Sequence, residues 1–268
     1  MEAKTDLQAR LTDEKTSASR KYQELVIGKS GKLALLKYEL IMLSCNCLPG
    51  ALGFALRKFL YKRLFRHVGR GVVFGRNLVI RHPARISLGS NVILDDNCVL
   101  DAKGEGEEGI TIGDNVFVGR NTILSCKGGS ISLGENANLG SNCLIHAESP
   151  VRVGKHVLIA AYCYLVGGGN HDFSRTDIPI IQQPSVTKGG ISIGDGAWLG
   201  ARATILDGAN VGHDSIVGAG AVVLESLPEF VIAAGVPART IKQRKQSEAP
   251  GQGSAGEQRS EERGSSRG

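Results

Sequence analysis

The sequence predicts an all-β solenoid preceded by a helical segment, on three observations. From Ile191 to Leu224 aliphatic residues fall every six positions without a slip, at Ile193, Leu199, Ile205, Val211, Val217 and Val223. A small residue follows four positions after each of the first five, at Ala197, Ala203, Ala209, Ser215 and Ala221, and glycine comes directly after the aliphatic residue at Gly194, Gly200, Gly212 and Gly218. The composition agrees: 36 of 268 residues are Gly and only 5% are aromatic, which suits a thin core of aliphatic and small side chains better than a sandwich packed on rings. A fixed short period means that each unit buries its apolar side only against the copy stacked on it.

Taken in order, residues 1–33 are polar and charged and predict a frayed or partly helical extension. In the next segment, 34–70, the 17 residues from Leu40 to Leu56 carry no charge. That falls short of the ~20 apolar residues of a spanning helix, and Pro49, Gly50 and Gly53 interrupt the run. Leu52, Leu56, Leu60 and Leu64 then recur every four residues with Phe59 alongside, and Arg57, Lys58, Lys62, Arg63 and Arg66 fall on the other side, which predicts a basic amphipathic helix. Two compatible roles follow: a cap that hides the open end of the solenoid, and peripheral contact of residues 40–66 with an anionic membrane surface.

The repeats occupy 71–245. Irregular copies around 72–80 lead into Leu88, Leu94 and Leu100, then Ile112, Val118 and Leu124, then Leu133, Leu139 and Ile145, then Val153, Ile159 and Leu165, before the run described above. Three flat hexads make one triangular coil, and coils stacked at strand spacing climb ~4.8 Å each. Relative to the six-residue step the chain inserts six residues after Leu100, three after Leu124, two after Ile145 and 22 after Leu165. Every insertion follows a third hexad, so all leave one edge of the prism, where a binding surface is expected. Cys98, Cys143 and Cys163 fall in small inward slots and read as buried free thiols in a reducing compartment, not as a disulfide framework. With no charged n-region and apolar core at the start, a cytoplasmic location is expected. The net charge of +6 fits an anionic cofactor or membrane surface without requiring nucleic acid. No Cys or His cluster has zinc spacing, so no metal is expected. Residues 246–268, rich in Gln, Glu, Ser, Gly and Arg, predict a disordered tail.

The hexad run, the Trp198-Leu199-Gly200-Ala201 step, Gly218-Ala219-Gly220 and the closing Ala234-Gly235-Val236-Pro237-Ala238-Arg239 together resemble the left-handed β-helix acyltransferases of the hexapeptide-repeat family. Within it the pattern is most similar to the sugar O-acetyltransferases, such as maltose and galactoside acetyltransferases, and their relatives in surface-polysaccharide gene clusters. The resemblance covers residues 72–244 and implies direct transfer of an acetyl group from acetyl-CoA to a saccharide hydroxyl. Such transfer needs a base near neutral pH. His171, in Gly167-Gly168-Gly169-Asn170-His171-Asp172-Phe173 on the insertion edge, matches the family's catalytic histidine. Asn142 and Glu148 match or lie near acceptor-binding positions, His146 lies one coil earlier on the same edge, and Trp198 is expected to pack by the catalytic loop. Each also has an ordinary structural role open to it, as a turn, corner or cover residue.

Gly200 and Ala201, stacked on Gly218 and Ala219, would leave backbone amides open for the pantetheine arm, and Arg239, Lys242 and Arg244 would meet the CoA phosphates. A pure packing role for the small residues is nearly as good taken singly. The resemblance further implies a homotrimer with sites between adjacent prisms. A carbonic anhydrase on the same repeat would need a closely spaced His pair, whereas the shortest His separation here is ten residues. A serine O-acetyltransferase, which would normally bring a longer helical N-terminal domain, and a catalytically silent scaffold remain the alternatives.

Overall fold

The structure, a computed structural model, describes residues 16–104 and 108–244. The predicted tail 246–268 and the first part of the extension 1–33 lie outside the described residues. The remainder of that extension is ordered against its neighbours. Ser17 caps a short helix, Ala18–Tyr22, the chain continues through one wide helical turn, Gln23–Ile27, and Ile27 is buried.

Three sheets of seven, nine and seven strands among the described residues form the prism, parallel throughout except for the last strand of the second. The register is the one the hexads predict. On the first face Leu88 pairs with Ile112, Ile112 with Leu133, Leu133 with Val153, Val153 with Ile193 and Ile193 with Val211. On the second, Leu139 pairs with Ile159 and Ile159 with Leu199; on the third, Leu124 pairs with Ile145, Ile145 with Leu165 and Leu165 with Ile205. Each of these inward residues is almost completely buried, and so are the small slots Cys98, Cys143, Cys163, Ala197 and Ala203. All six cysteines are free thiols.

Corners between faces need a left-handed residue, and asparagine tolerates that conformation best among residues with a side chain. Asn77, Asn91, Asn97, Asn115, Asn121, Asn136 and Asn142 all have φ between 55° and 62°. Their side chains also stack from coil to coil: Asn77 donates to Asn97 at 3.2 Å, Asn91 to Asn115 at 3.0 Å and Asn121 to Asn142 at 3.1 Å.

Two helices, α1 (Lys32–Cys45) and α2 (Gly50–Leu60), lie over the first coil. Tyr38 donates its hydroxyl to the carbonyl of Ile80 at 2.7 Å. Arg57 donates to the carbonyls of Phe74, Cys45 and Leu48 at 2.9, 3.0 and 2.8 Å. The rings of Tyr61 and Phe65 pack on Phe74 at 5.3 and 5.7 Å between centroids. The expected amphipathic orientation needs correction here. Arg57 is 3% exposed, and Leu52 and Phe59 are 65% and 68% exposed. The guanidinium ties the prism to the helical cap, since it donates at once to a strand carbonyl, Phe74, and to carbonyls at the end of α1 and in the connection to α2, Cys45 and Leu48, which no leucine can do, so the arginine goes inside and part of the apolar face goes out.

Candidate active site

The longest insertion begins where the third face ends, at Tyr164–Gly167. Gly168 and Gly169 then take φ of 89° and 76°. A Cβ at Gly168 would meet Glu148 Cβ at 2.7 Å and Ser149 N at 3.0 Å, so the turn closes against the corner of the previous coil only because it has no side chain. The chain leaves this turn into a two-residue strand, Asn170–His171, paired antiparallel with Ser185–Val186 so that His171 stands opposite Ser185.

The His171 ring is exposed, and its Nδ1 lies 3.4 Å from the carbonyl oxygen of Gln183. A carbonyl only accepts, so the hydrogen sits on Nδ1 and the Nε2 lone pair is left as a proton acceptor. Gln183 is itself fixed: 4% exposed, it donates from Nε2 to the Arg175 carbonyl at 2.8 Å and accepts from Arg175 N at 3.2 Å. The loop thus orients the ring through Gln183, a residue that sequence reasoning did not single out.

It also missed Asp207, which is 3% exposed. Its oxygens accept from Asn170 Nδ2 at 3.2 Å, Lys188 N at 2.6 Å and Gly190 N at 2.8 Å. One carboxyl therefore clasps both ends of the insertion, beside His171 and at the return to the prism. A signal was present. Given the ladder pairing of the third face, Asp207 occupies the inward slot that holds Cys126, Ala147 and Gly167 in the preceding coils, and an acid in a slot otherwise small and apolar needs local donors.

His146 lies outward on the third face between Ser125 and Val166, with Nε2 3.6 Å from Glu148 Oε1. The same oxygen accepts from Lys127 Nζ at 2.8 Å. Burial alone would raise the Glu148 carboxyl, but the Lys127 ammonium, helped by His146, more than offsets it and holds the group below its ordinary range. A Cβ at Gly169 would lie 3.8 Å from Glu148 Oε2, so this carboxyl flanks the glycine turn that delivers His171. Two other histidines are engaged elsewhere: His82 Nε2 donates to Glu24 O at 2.8 Å, and His213 is paired with Asp214 and Glu229.

The remaining candidates lie away from this edge. Asn142 is a corner residue between the second and third faces, stacked on Asn121. Gly200 and Ala201 share that edge with Gly218 and Ala219, and a Cβ at Gly200 would meet Ala219 N at 2.6 Å, so close coil stacking by itself requires glycine there. Trp198 does not pack by the His171 loop within the protomer. It points outward from the second face, between Leu158 and Ile216, and is 45% exposed. It directly precedes inward Leu199, and the alternation of a strand sends it out.

The three cations also separate. They lie on the final strand, Arg239–Gln243, and just after it; that strand runs antiparallel to Val231–Ala234. Arg239 pairs opposite Ala234, whose Cβ is the nearest contact a side chain at Gly218 would meet. Arg244 lies at the far side of the face, donating to the Asp214 carbonyl. Lys242, opposite Ile232, lies between them and is exposed. Only Arg239 adjoins the stacked glycines. Among the described residues no group of three or more His, Cys, Asp or Glu is placed to hold a metal ion.

Comparison with known proteins agrees with this architecture. Residues 190–225 match the bacterial transferase hexapeptide (six repeats) family, and 109–147 and 130–166 match the hexapeptide repeat of succinyl-transferase. The chain is 30% identical over 188 residues to the putative lipopolysaccharide biosynthesis O-acetyl transferase WbbJ of Escherichia coli, covering 67% of this chain and 86% of WbbJ. It is 33% identical over 135 residues to the galactoside O-acetyltransferase of Escherichia coli, covering 50% of this chain and 63% of that enzyme. For two curated relatives, this galactoside enzyme included, the chain spans only 63% and 45% of the length. Among solved structures, a mutant of AntD, an N-acyltransferase from Bacillus cereus in complex with dTDP and coenzyme A, is 27% identical with a TM-score of 0.50, covering 72% of this chain and 91% of that one.

Proposed function

The chain belongs to the hexapeptide-repeat acyltransferase family, and on that footing we propose that it transfers an acetyl group from acetyl-CoA to a hydroxyl of a sugar or surface-polysaccharide precursor. One observation carries the mechanism: the Gln183 carbonyl holds His171 through Nδ1 and leaves Nε2 as acceptor. Nε2 takes the proton of the acceptor hydroxyl as its oxygen attacks the thioester carbonyl. The C–S bond breaks, and the proton returns to the departing thiolate. No acyl-enzyme is needed, and backbone N–H groups hold the developing oxyanion. Glu148 and His146, on the same edge, contact the acceptor.

Within one prism the His171 edge and the edge bearing Asn142, Gly200, Ala201, Gly218, Ala219 and Arg239 are different edges of the triangle. Donor and base meet only if the edge of one protomer faces that of the next, so the proposal includes a homotrimer with Asn142 and Trp198 approaching the acceptor from the neighbouring subunit. Lys242 and Arg244 then contribute general positive charge beyond the phosphate contact at Arg239. The acetyl-transfer relatives WbbJ and the galactoside enzyme support a hydroxyl acceptor, and a CoA thioester as donor supports a cytoplasmic reaction.

Thiol release from acetyl-CoA, followed with a panel of free and nucleotide-linked sugars and amino sugars, tests the proposal. His171→Ala should lose at least a hundredfold in kcat/KM on the best hydroxyl acceptor, within the range of about 10² to 10⁴ for general base catalysis. Equal rates for wild type and His171→Ala on every acceptor would overturn it. Turnover confined to amino sugars would keep the acyltransfer and refute the hydroxyl acceptor.

A further inference from the structure

Helix α1 is apolar on two opposite faces. Tyr38, Ile41 and Cys45 are buried toward the prism, at 6%, 7% and 0% exposure. On the opposite side Leu33, Leu36, Leu40 and Leu43 recur at spacings of three, four and three residues, a single stripe along a helix, and they are 84%, 55%, 58% and 81% exposed. Helix α2 adds exposed Leu52 and Phe59. Among the described residues nothing covers these side chains. A contiguous exposed apolar face of this kind marks an interaction site.

Charge decides which partner fits. The whole chain has 32 Lys and Arg against 26 Asp and Glu. Between residues 29 and 66 there are eight basic residues and one acid, Glu39, which leaves 24 basic against 25 acidic residues elsewhere. The net positive charge of the protein therefore resides in the segment that carries the leucine face. Glu39 accepts the Tyr22 hydroxyl at 2.6 Å, while Lys29, Lys32, Lys58, Lys62 and Arg66 are exposed. A second copy of this face would bring like charge against like. No helix among the described residues is long and apolar enough to cross a membrane.

We propose that α1 lies in the plane of an anionic lipid bilayer, with Leu33, Leu36, Leu40 and Leu43 in the acyl boundary and the surrounding lysines and arginines among the headgroups. A leucine stripe supplies partition into the interface and a basic rim supplies attraction to anionic lipid. Sequence alone pointed to residues 40–66; the helix that leads the contact begins at Lys32.

Co-sedimentation of the full chain with vesicles of phosphatidylcholine, alone or with one third phosphatidylglycerol, tests this independently of any activity. Wild type should sediment with the anionic vesicles and about tenfold less with the neutral ones, and high salt should weaken the difference. Leu36→Glu/Leu43→Glu changes exposed positions only, and should lower the vesicle partition coefficient at least about tenfold with the circular dichroism spectrum unchanged. Lys58→Glu/Lys62→Glu should erase the preference for anionic lipid. Equal partition of wild type and the leucine variant would overturn the proposal. So would absence of binding to anionic vesicles, or a lipid-free oligomer that dissociates in the leucine variant, which would assign the face to a second copy.

Discussion

Asp207→Ala removes the one side chain that holds both ends of the His171 loop. Two of its three bonds go to backbone amides, Lys188 N at 2.6 Å and Gly190 N at 2.8 Å, and the third to Asn170 beside the catalytic candidate. Hydrogen bonds to a charged group contribute about 1.5 to 3 kcal/mol each. The loop can recover part of this by opening to water, so a net local cost of about 3 kcal/mol is expected, roughly a hundredfold in the opening equilibrium. The prism core does not depend on the clasp, because inward Ile205 and Leu165 stay paired with each other in the third face. Hydrogen exchange should therefore show the Lys188 and Gly190 amides losing about two decades of protection, while amides of the third face such as Tyr164 keep theirs. Turnover should fall with it through misplacement of His171, and Asp207→Asn should fall in between, since it keeps one acceptor oxygen but turns an amide NH₂ toward donors. Unchanged protection at Gly190 in Asp207→Ala would refute the clasp, whatever the activity.

Arg57→Ala leaves three carbonyls at the cap without a donor; a loss of about 3 to 5 kcal/mol is expected, read as a fall of about 10 °C in the thermal midpoint. Arg57→Lys should rescue it only in part, because one ammonium cannot span the same three acceptors. Gly200→Ala places a Cβ 2.6 Å from Ala219 N and 2.9 Å from Gly218 C, backbone atoms that cannot yield, for a cost of about 1 to 3 kcal/mol in urea unfolding. If the donor runs along this edge, its KM for acetyl-CoA rises as well. Glu148 titrates below its ordinary value of 4.5 in the folded chain, so the unfolded chain binds that proton more readily. Its contribution is complete above the unfolded value and is lost as pH falls toward the folded one. Glu148→Gln should flatten the loss of stability that wild type shows as pH falls below the unfolded value, by less than about 1 kcal/mol for a partly exposed pair. Burial pushes the Cys98 and Cys126 thiols up to about 12, and only Cys47 is exposed. A thiol-reactive dye should find one fast thiol in the native protein and six after unfolding.

The solenoid could be read from the chain because its period fixes side-chain direction at every step: once Ile193, Leu199 and Ile205 are assigned inward, the pairings with Val153, Ile159 and Leu165 follow. The insertion edge and the His171 loop were legible by the same count. The count along the chain did not say how far apart neighbouring candidates end up within one prism. Trp198 comes eight residues after Gly190, where the loop returns to the prism, yet one corner of the prism carries it from the first face onto the second. Arg244 is five residues from Arg239, but the last strand crosses the whole face between them. Arg57 defeated a different rule. Helical spacing separates an apolar from a basic side but does not say which side meets the prism, and the carbonyls of Cys45, Leu48 and Phe74, gathered where the helices meet the first coil, favoured the cation.

Because every insertion leaves by the edge between the third and first faces, that edge behaves as the untranslated margin of a reading frame. Residues can be added there at an entropic cost that grows only with the logarithm of loop length, and no downstream inward residue changes place. A single residue added at either of the other two edges would turn the following strand by one step and carry Leu199 or Ile205, with all that follow, from the core to the surface. Variation in loop length is thus confined to one border, while the length of the other two is held constant by the packing of every coil above and below.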